Sequence, residues 1–441
     1  MQHISRKSLG RSVFVALSSL TLFALVGCTG SSSEAESSEQ TPATVAETTS
    51  TAAAADDHDH DEADADVVRL DQARQLLVVA AHDQPVLDLI DLTDGSTVSI
   101  ELDAPAALSS AMTESGRFVL VGHDDGVAVV DTGVWSVLHG DHFDHYMSTP
   151  KMLGRVDGPM PTHLMSHDGL NAFHFDGTGN ALVVTEEMLV DGQVSVTAEV
   201  PTSAPHHGFA VPTHGAYFVT VPTEDMEILL NVVGISDADG VVQAQFDCPL
   251  AHGEASVAHS VAAACIDGIA VVTHDDGSWS GTYLSYPQID DEDPYGFGPA
   301  RAWILAASEQ GLLAAPHGAR HLVVADPGND SIRSFDLERS IATLGVTFSD
   351  DGDVLVLTQD GFLHLVDPED GLVAASLQVI SPFAEGDPDE PFRQLAVTGG
   401  RVFVTEPASN QVIEVAVGDT LVVERTIDIG FAPGFLAVAN G

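Results

Sequence analysis

Basic residues are scarce in this chain of 441 residues. Lysine and arginine together number 15, against 66 aspartate and glutamate residues, so the formal net charge is −51 at pH 7. A polyanion of this kind is repelled by the phosphates of nucleic acids and by anionic membrane surfaces. The composition therefore argues against nucleic acid as a partner. The same acidity fits a protein that handles cations and a protein adapted to high salt, and composition does not separate the two.

Long apolar runs are confined to the N-terminus. Arg6, Lys7 and Arg11 precede an apolar run over residues 13–26, which is too short for an ordinary membrane-spanning helix. The run ends in Leu-Val-Gly-Cys28, which resembles a bacterial lipobox. We predict that residues 1–28 are a lipoprotein signal peptide and that Cys28 carries the lipid, so that acyl chains alone hold the exported protein at the outer face of the cytoplasmic membrane. A plain signal anchor is the alternative.

Cysteine is the next scarce residue. Of three cysteines, Cys28 is assigned to the lipid, and Cys248 and Cys265 remain. Exported thiols rarely stay reduced, so we expect a disulfide between these two residues. A pair of cysteine ligands for a metal is the alternative.

Residues 29–66 contain almost no large apolar side chains. Most of the segment is Ser, Thr, Ala and Glu, which cannot bury enough surface to offset the entropy of ordering, so we predict a disordered acidic tether. Near its end, His58 and His60 stand among carboxylates in residues 56–62. This His-x-His cluster predicts a mobile site for metal capture. The alternative is a solvated run of charges.

Long helical periodicity is absent from residues 67–441, and short runs of β-branched residues alternate with turns instead. Residues 118–131 and 354–367 form two hairpin patterns of equal length, each with an Asp-Gly turn that supplies the positive φ of a tight hairpin. The related hairpin patterns lie at residues 76–91, 182–196, 217–233, 269–284, 321–336 and 402–415.

Units at spacings of roughly 33 to 50 residues, with four short strands each, are typical of a β-propeller. We therefore predict an all-β chain whose residues 67–441 form a single β-propeller of about eight blades, with seven as the alternative count. Residues 435–438 resemble an inner strand for the blade that begins near Gln75, so the two ends of this region would close the ring. Two packed sandwich domains are disfavoured, because neither half has its own turn-rich linker.

Histidines follow proline at several of the predicted links between blades. The pattern occurs at Pro161-Thr162-His163, at Pro205-His206-His207, at Pro249 to His252 and, within the following unit, at Pro316-His317. In a propeller such links cross beside the central channel, so residues distant in sequence would face one another across one opening. The repetition predicts a shared metal site. A single histidine of this kind is more often a core or loop residue.

A second concentration of histidine lies at residues 139–145, where three imidazoles and two carboxylates occupy one heptad. Imidazole and carboxylate are ligand types that suit zinc and neighbouring metals, although a solvated loop is the alternative. The predicted zinc ligands are His139, His142, His145, His163, His167, His206, His252, His317 and Asp141. Asp141, Asp144 and Glu254 could bind the metal directly or accept the second ring N–H of a ligand.

Several of these segments resemble the AztD-type periplasmic zinc metallochaperones, a family of β-propellers. The resemblance is carried by residues 139–145, by residues 247–255 around Cys248 and His252, by Thr162 to Gly169 and by Pro316 to His321. It implies that the chain stores zinc and passes it to the solute-binding protein of a zinc ABC transporter. It also implies a mobile N-terminal metal-binding segment at His58 and His60 and a structural disulfide. The lipobox departs from the pattern of a free periplasmic protein.

Two other functions compete with this one. A metal-dependent, lactonase-like hydrolase on the same fold would use a metal-bound water, and a structural cell-surface propeller would bind no zinc tightly. The sequence contains no Gly-x-Ser-x-Gly motif and no phosphate-binding loop, so covalent hydrolysis and nucleotide chemistry are not supported. We predict a monomeric zinc carrier that is not an enzyme.

Overall fold

The computed structural model describes residues 66–223, 230–296, 298–387 and 390–440. The predicted signal peptide, Cys28 and the His58/His60 cluster lie outside the described residues, and so does almost all of the predicted tether. In the part of the chain that is described, no helix is long and apolar enough to cross a membrane.

The described residues form eight four-stranded antiparallel sheets, which are the blades of the propeller. The strands of blades 1 and 2 are β2 (Gln75–Ala81), β3 (Val86–Asp91), β4 (Thr97–Glu101) and β35 (Pro433–Asn440), then β5 (Ala111–Met112), β6 (Phe118–His123), β7 (Gly126–Asp131) and β10 (Lys151–Asp157). The strands of blades 3 and 4 are β11 (Pro161–His167), β12 (Leu170–Phe175), β13 (Asn180–Thr185) and β14 (Ala198–Val200), then β15 (Ala210–Thr213), β16 (Ala216–Thr220), β17 (Val232–Ser236) and β18 (Val242–Asp247).

The remaining blades follow in chain order. The strands of blades 5 and 6 are β19 (Glu254–Val257), β20 (Ser260–Ala264), β21 (Gly268–Asp275) and β22 (Ser278–Ser285), then β23 (Ala306–Ala307), β24 (Leu313–His317), β25 (His321–Asp326) and β26 (Ser331–Asp336). The strands of blades 7 and 8 are β27 (Ile341–Phe348), β28 (Val354–Thr358), β29 (Phe362–Val366) and β30 (Val373–Gln378), then β31 (Leu395–Thr398), β32 (Arg401–Glu406), β33 (Gln411–Val417) and β34 (Leu421–Asp428).

Three short elements lie outside the blade strands or connect them. A separate three-stranded sheet contains β1 (Val68–Leu70), β8 (Val134–His139) and β9 (His142–Met147). Two 3₁₀ turns connect strands within blades. Pro327–Asn329 lies between β25 and β26 of blade 6, and Pro407–Ser409 lies between β32 and β33 of blade 8.

The ring is closed by the last strand, as the sequence predicts. β35 pairs with β2, and Gln75 stands opposite Asn440. Blade 1 therefore takes its innermost strand from the C-terminal end and its other three strands from the beginning of the folded region. The prediction of an eight-bladed propeller closed by its two ends is confirmed.

One predicted hairpin is wrong. Residues 182–196 do not form two paired strands, because β13 is followed by the short helix α1 (Glu186–Val190). Thr185 caps this helix by accepting a hydrogen bond from the Met188 amide, and Glu186 and Glu187 lie in its first turn, where carboxylates favour helix formation. The capping signal in Thr-Glu-Glu outweighs the strand pattern. The hairpin of blade 3 is formed by β12 and β13 instead.

The middle strands of each blade are buried on both faces, because every blade packs against two neighbours. All six residues of β6 are buried, and so are all six of β7. This packing explains why these strands are continuous apolar runs and do not alternate between apolar and polar residues.

The propeller has two faces, which carry different histidines. We call the face where each innermost strand begins the crossing face, and the opposite one the hairpin face. His163 lies near the start of β11 and His167 ends the strand, with its Nδ1 3.1 Å from Glu114 Oε1. Glu114 lies at the end of blade 2 where Phe118 pairs with Asp131. This end of blade 2 is therefore on the hairpin face, together with His167. The β8–β9 hairpin follows Asp131 directly and lies on the same face.

Candidate metal centre

Three histidines from three consecutive blades converge on the crossing face. His163 is the third residue of β11, while His207 and His252 lie in the links that precede β15 and β19. One ligand atom from each of the three side chains lies within 4.8 Å of the others. The rings are partly buried, with 14% of the His163 side chain and 27% of the His207 side chain exposed. The shared metal site predicted at the blade links therefore has a structural counterpart.

Carboxylates hold two of these rings in place. His163 Nδ1 is 2.8 Å from Glu254 Oε1, and His207 Nδ1 is 2.6 Å from Asp176 Oδ2. An ionised carboxylate only accepts hydrogen bonds, so each Nδ1 is the donor and each Nε2 keeps its lone pair. Bonds of this kind fix the tautomer and orientation of a metal-binding imidazole.

The third ring is held by a backbone carbonyl. His252 Nδ1 donates to the carbonyl oxygen of Trp303 over 2.8 Å, so its Nε2 is also unprotonated in the neutral ring. The Cys248–Cys265 disulfide fastens the same link to the body of blade 5, which confirms the predicted bond. Gly253 has φ +76, and a Cβ there would lie 2.5 Å from the Trp303 carbonyl oxygen. Only glycine therefore allows this approach.

The distance between two of the ring nitrogens matches a metal site. His163 Nε2 and His207 Nε2 lie 3.4 Å apart. With both Nδ1 atoms donating to carboxylates, two bare lone pairs face each other in the neutral state. Zinc binds imidazole at about 2.0–2.1 Å in tetrahedral geometry, which places two ligand nitrogens about 3.3 Å apart. The residues present therefore fit a zinc ion.

A buried carboxylate oxygen adds negative charge beside this centre. Glu254 Oε2 is buried and has no hydrogen-bond partner among the described residues. Burial alone would raise the pKa of Glu254, but the His163 imidazole lowers it below its ordinary value. Burial likewise opposes the charged form of His163, yet Glu254 raises the pKa of His163. Burial, with the neighbouring His163, lowers the pKa of His252 to about 4, which keeps this ring neutral and available to a metal.

His206 does not join the three histidines, although it was a predicted ligand. Its Nδ1 donates to the Ala204 carbonyl oxygen over 2.9 Å, and its Nε2 lies 2.9 Å from the Thr220 hydroxyl. The ring is buried and packs against His174 with 5.0 Å between centroids. Adjacent side chains that lead into a strand project to opposite sides, so His207 reaches the centre and His206 packs inside.

Two further predicted ligands also lie elsewhere. His317 is 1% exposed, and its ring packs 4.6 Å from that of Tyr286, between centroids. It ends β24, a second strand, and therefore does not occupy a link between blades. His167 lies at the far end of β11 beside Glu114 and Asp168. His163 and His167 lie near opposite ends of β11, so their side chains are on opposite faces of the propeller.

The heptad forms a second, separate group on the β8–β9 hairpin. His139 Nδ1 lies 3.3 Å from Asp144 Oδ2, and His142 Nε2 lies 3.5 Å from Asp144 Oδ1. Ligand atoms of these three residues lie within 4.8 Å of one another. Arg69 forms an ion pair with the same carboxylate. Both imidazoles are exposed, so this group is open to solvent.

The other two predicted ligands of the heptad are outside this group. His145 Nδ1 is 2.6 Å from the Ser136 hydroxyl across the hairpin. Asp141 is fully exposed, and its Oδ1 lies 3.3 Å from His142 Nδ1. In the hairpin, Asp144 lies beside both rings, whereas Asp141, a predicted ligand, does not join the group.

Three residues of the centre were missed as functional residues. His207 is adjacent to the predicted His206, and no pattern in the sequence distinguishes which of the two faces the channel. Asp176 and Trp303 act through hydrogen bonds to His207 and His252. The only feature that could have pointed to Asp176 is its position directly after the strand β12. Because β12 runs antiparallel to β11, this position lies beside the start of β11.

Three imidazoles that converge on the crossing face of consecutive blades form a candidate metal centre on a β-propeller. This chain is similar to the zinc chaperone AztD of Citrobacter koseri, with 27% identity over 344 residues, which is 76% of this chain and 80% of that one. The crystal structure of C. koseri AztD matches with a TM-score of 0.75 and 25% identity, covering 84% of this chain and 99% of that one. The predicted resemblance to AztD-type proteins is confirmed.

Two further solved structures are similar to this chain in fold. The structure of apo AztD from C. koseri matches with the same TM-score of 0.75. Dihydro-heme d1 dehydrogenase NirN shares the fold, with a TM-score of 0.53 and 12% identity over 82% of this chain and 74% of that one. No family model matches the chain. The relative AztD is named a zinc chaperone, which is consistent with the prediction that this chain is not an enzyme.

Proposed function

We propose that this protein is an extracytoplasmic zinc chaperone, which holds zinc at His163, His207 and His252 and passes it to the solute-binding protein of a zinc ABC transporter. The observation that carries the proposal is the convergence of three histidines whose rings are each held by a hydrogen bond at Nδ1. The similarity to the zinc chaperone AztD supports zinc as the cargo.

The chemistry of the centre suits a carrier. Three imidazoles bind zinc tightly and leave a fourth tetrahedral position for water or for an incoming ligand. A histidine or carboxylate of the acceptor can enter this position, after which the imidazoles leave one at a time. The partial exposure of His163 and His207 on the crossing face gives the acceptor a route to the metal.

The exposed group on the hairpin has a different role in the proposal. His139, His142 and Asp144 form a weaker site, because their rings are exposed and Arg69 competes for the carboxylate. Together with His58 and His60 of the tether, this group would collect zinc outside the cell membrane. Deletion of residues 56–62 should leave the stored zinc in place and slow its uptake or transfer.

The proposal also includes export and anchoring. Residues 1–28 act as a signal peptide, and the lipid on Cys28 holds a monomeric propeller at the outer face of the cytoplasmic membrane. An anchor of this kind retains the carrier near the transporter it serves. Mass spectrometry of the N-terminal peptide from the native membrane fraction would test it, since an unmodified Cys28 would contradict the anchor.

A zinc titration tests the central claim. The full chain is stripped of metal, titrated with zinc against a competing chelator, and its bound metal is measured by elemental analysis. We expect one tightly bound zinc ion per chain at the three-histidine centre. Loss of all zinc on dialysis would refute the proposal and would favour a structural propeller.

A transfer assay tests the finer claim. The zinc-loaded protein is mixed with the metal-free solute-binding protein of the transporter, the two are separated, and the zinc on each is counted. We expect most of the zinc on the acceptor, at a rate faster than spontaneous release into chelator. Transfer no faster than release would refute the chaperone function, and zinc-dependent hydrolysis of a lactone would identify an enzyme in its place.

A further inference from the structure

The long links between blades build a groove on the crossing face. It consists of two adjoining cavities of about 200 and 390 Å³, which share Glu385 and Gly386. The smaller cavity is lined by Tyr295 and Trp303 of the link that leads to blade 6, and the larger one by Leu108 of the link that leads to blade 2. We call the two cavities together the crossing-face groove.

The groove presents apolar side chains to solvent. Leu108 is 53% exposed and Tyr295 is 44% exposed, and Phe392 is a further, partly exposed residue of the lining. Tyr295 is held in place, because its hydroxyl lies 2.6 Å from that of Thr343 and its ring packs edge-on against the Trp303 ring, with 5.4 Å between centroids. Fixed aromatic side chains of this kind are common binding residues of protein interfaces.

Carboxylates line the same groove. They are Glu385, Asp387 and Glu390, and the Glu390 side chain is 56% exposed. The two arginines of the lining are buried, since Arg301 is 1% exposed and Arg393 is 4% exposed. The charges that the groove presents to solvent are therefore negative, and they lie beside its apolar walls.

A basic segment of a different protein fits this combination. Lysine and arginine side chains carry apolar stems as well as a charge, and a guanidinium stacks on aromatic rings. The predicted tether, residues 29–66, contains no lysine or arginine, and a second copy of the chain carries the same net charge of −51. The carboxylates of the groove repel both of these occupants.

Trp303 joins the groove to the metal centre. It lines the smaller cavity, its carbonyl oxygen accepts a hydrogen bond from His252 Nδ1 over 2.8 Å, and the two rings lie 5.1 Å apart between centroids. A protein segment seated in the groove would therefore lie beside the three histidines. The rest of that protein would then be close enough to offer its own ligands to the metal.

We propose that the crossing-face groove is the docking surface for the zinc acceptor, which places an extended segment with basic side chains in it. The carboxylates bind the ammonium or guanidinium groups, and Leu108, Tyr295 and Phe392 bind the apolar parts of the segment. This inference rests on the proposed zinc-carrier function, because it names the surface and the kind of segment that transfer uses. Opposite charges on the two partners also speed their encounter.

Direct binding without zinc tests the docking surface by itself. The metal-free full chain is bound to the metal-free solute-binding protein of the zinc ABC transporter, and the Kd is measured by interferometry at low and raised salt. We expect binding that weakens as salt is added. Asp387→Asn/Glu390→Gln should raise the Kd by about 5-fold or more, and Leu108→Lys by about 10-fold or more, because the new lysine repels a basic segment. No binding, or full binding by both groove variants, would overturn the proposal.

A charge-matched control separates docking in the groove from a general effect of acidity. Asp351 and Asp419 lie in exposed turns of the hairpin face, between β27 and β28 and between β33 and β34. Asp351→Asn/Asp419→Asn should bind the acceptor with a Kd within about 2-fold of the unchanged protein. An equal loss in this control and in the double groove variant would refute the groove. Light scattering tests a second copy as the occupant, and a dimer that Leu108→Lys abolishes would also overturn the proposal.

Zinc transfer connects docking with the proposed function. The groove variants keep the three histidines, so their zinc affinity should equal that of the unchanged protein. The acceptor concentration that gives half the maximal transfer rate should rise by about 5-fold or more, while the maximal rate changes by less than about 2-fold. Unchanged transfer kinetics in both groove variants would refute the role of the groove in transfer. If the unchanged protein docks but transfers no zinc, the proposed function fails and the docking result stands.

Discussion

The Nε2 atoms of His163 and His207 lie 3.4 Å apart, and the Nδ1 atom of each ring is hydrogen-bonded to a different carboxylate. The two carboxylates, Glu254 and Asp176, orient the rings and supply negative charge behind them. When both rings are neutral, their Nε2 lone pairs repel each other. A cation between them would remove this repulsion, and the 3.4 Å separation is close to the distance of about 3.3 Å between two nitrogens on one zinc ion.

Adjacent histidines should differ sharply in zinc binding. His207→Ala removes one of three ligands, so we expect the zinc affinity to fall by more than about 100-fold, since the loss of a supporting residue alone costs 10- to 100-fold. His206→Ala should leave the affinity within about 3-fold and lower the stability, because its hydrogen bonds to Ala204 and Thr220 are lost. Chelator competition and urea unfolding measure the two effects. Equal loss of zinc affinity in both variants would contradict the assignment of His207, and not His206, as the zinc ligand.

The carboxylate behind His207 should tune the metal site without binding the metal. Asp176→Asn keeps an oxygen that can accept the Nδ1 hydrogen but removes the charge, and we expect zinc affinity to fall by about 10-fold or more. Asp168→Asn, at an exposed aspartate on the hairpin face, is the control and should bind zinc normally. An unchanged affinity in Asp176→Asn would show that the charge behind His207 is immaterial.

Removal of the disulfide should weaken both folding and metal binding. Cys248 and Cys265 are separated by 17 residues, and the loss of a native disulfide costs about 2–5 kcal/mol of unfolding free energy. The double change Cys248→Ser/Cys265→Ser also frees the link that carries His252. We expect a lower urea midpoint and weaker zinc binding at a temperature where the variant remains folded. Full zinc affinity in the folded variant would mean that Gly253 and Trp303 suffice to place His252.

Acid should destabilise the propeller partly through His317. Burial lowers the pKa of His317 to about 4, whereas an unfolded chain binds the proton with a pKa of about 6.5. Between these values the unfolded state holds more protons, so stability is full above pH 6.5 and falls as the pH drops toward 4, by on the order of 3 kcal/mol. His317→Gln should lose this part of the pH dependence in urea unfolding at pH 7, 5.5 and 4.5.

The control for this measurement is His259→Gln, at an exposed histidine, which should retain the pH dependence of the unchanged protein. Some dependence should also survive in His317→Gln, because burial lowers the pKa of His174 to about 3 with the same sign. A pH dependence identical to that of the control would show that His317 is not responsible.

The hairpin group should bind zinc independently of the centre. The double change His139→Ala/His142→Ala should remove a weak zinc equivalent seen in calorimetry and leave the tight equivalent unchanged, because the two groups lie on opposite faces. His145→Ala should leave both zinc equivalents unchanged, since the His145 ring is hydrogen-bonded to Ser136. Loss of the tight equivalent in the double variant would place the main site on the hairpin.

The fold was predictable because its signals are local and repeated. Asp-Gly turns and apolar runs predict most of the hairpins, and the strand pattern at residues 435–438 predicts the closure onto Gln75. The error at residues 182–196 arose where a helix cap, Thr185, follows a strand directly. The apolar pattern of a strand carries no information about a single helical turn that begins where the strand ends.

The site was predictable only in outline. The recurrence of histidine after proline predicts His163 and His252, because every link between blades reaches the same face. The choice between His206 and His207 depends on the direction in which each side chain leaves the link, and a bulge or bend of one residue reverses it.

The pairing of Gln75 with Asn440 joins residues 365 positions apart, so blade 1 is complete only when β35 has docked beside β2. Until β35 docks, β2 presents an unpaired edge to any other chain, and closure over so long a separation is slow. Completion of the ring is therefore a late step of folding, because it joins strands from the two ends of the folded region. A chain truncated before Pro433 would remain open and would be prone to pair with a second copy of itself.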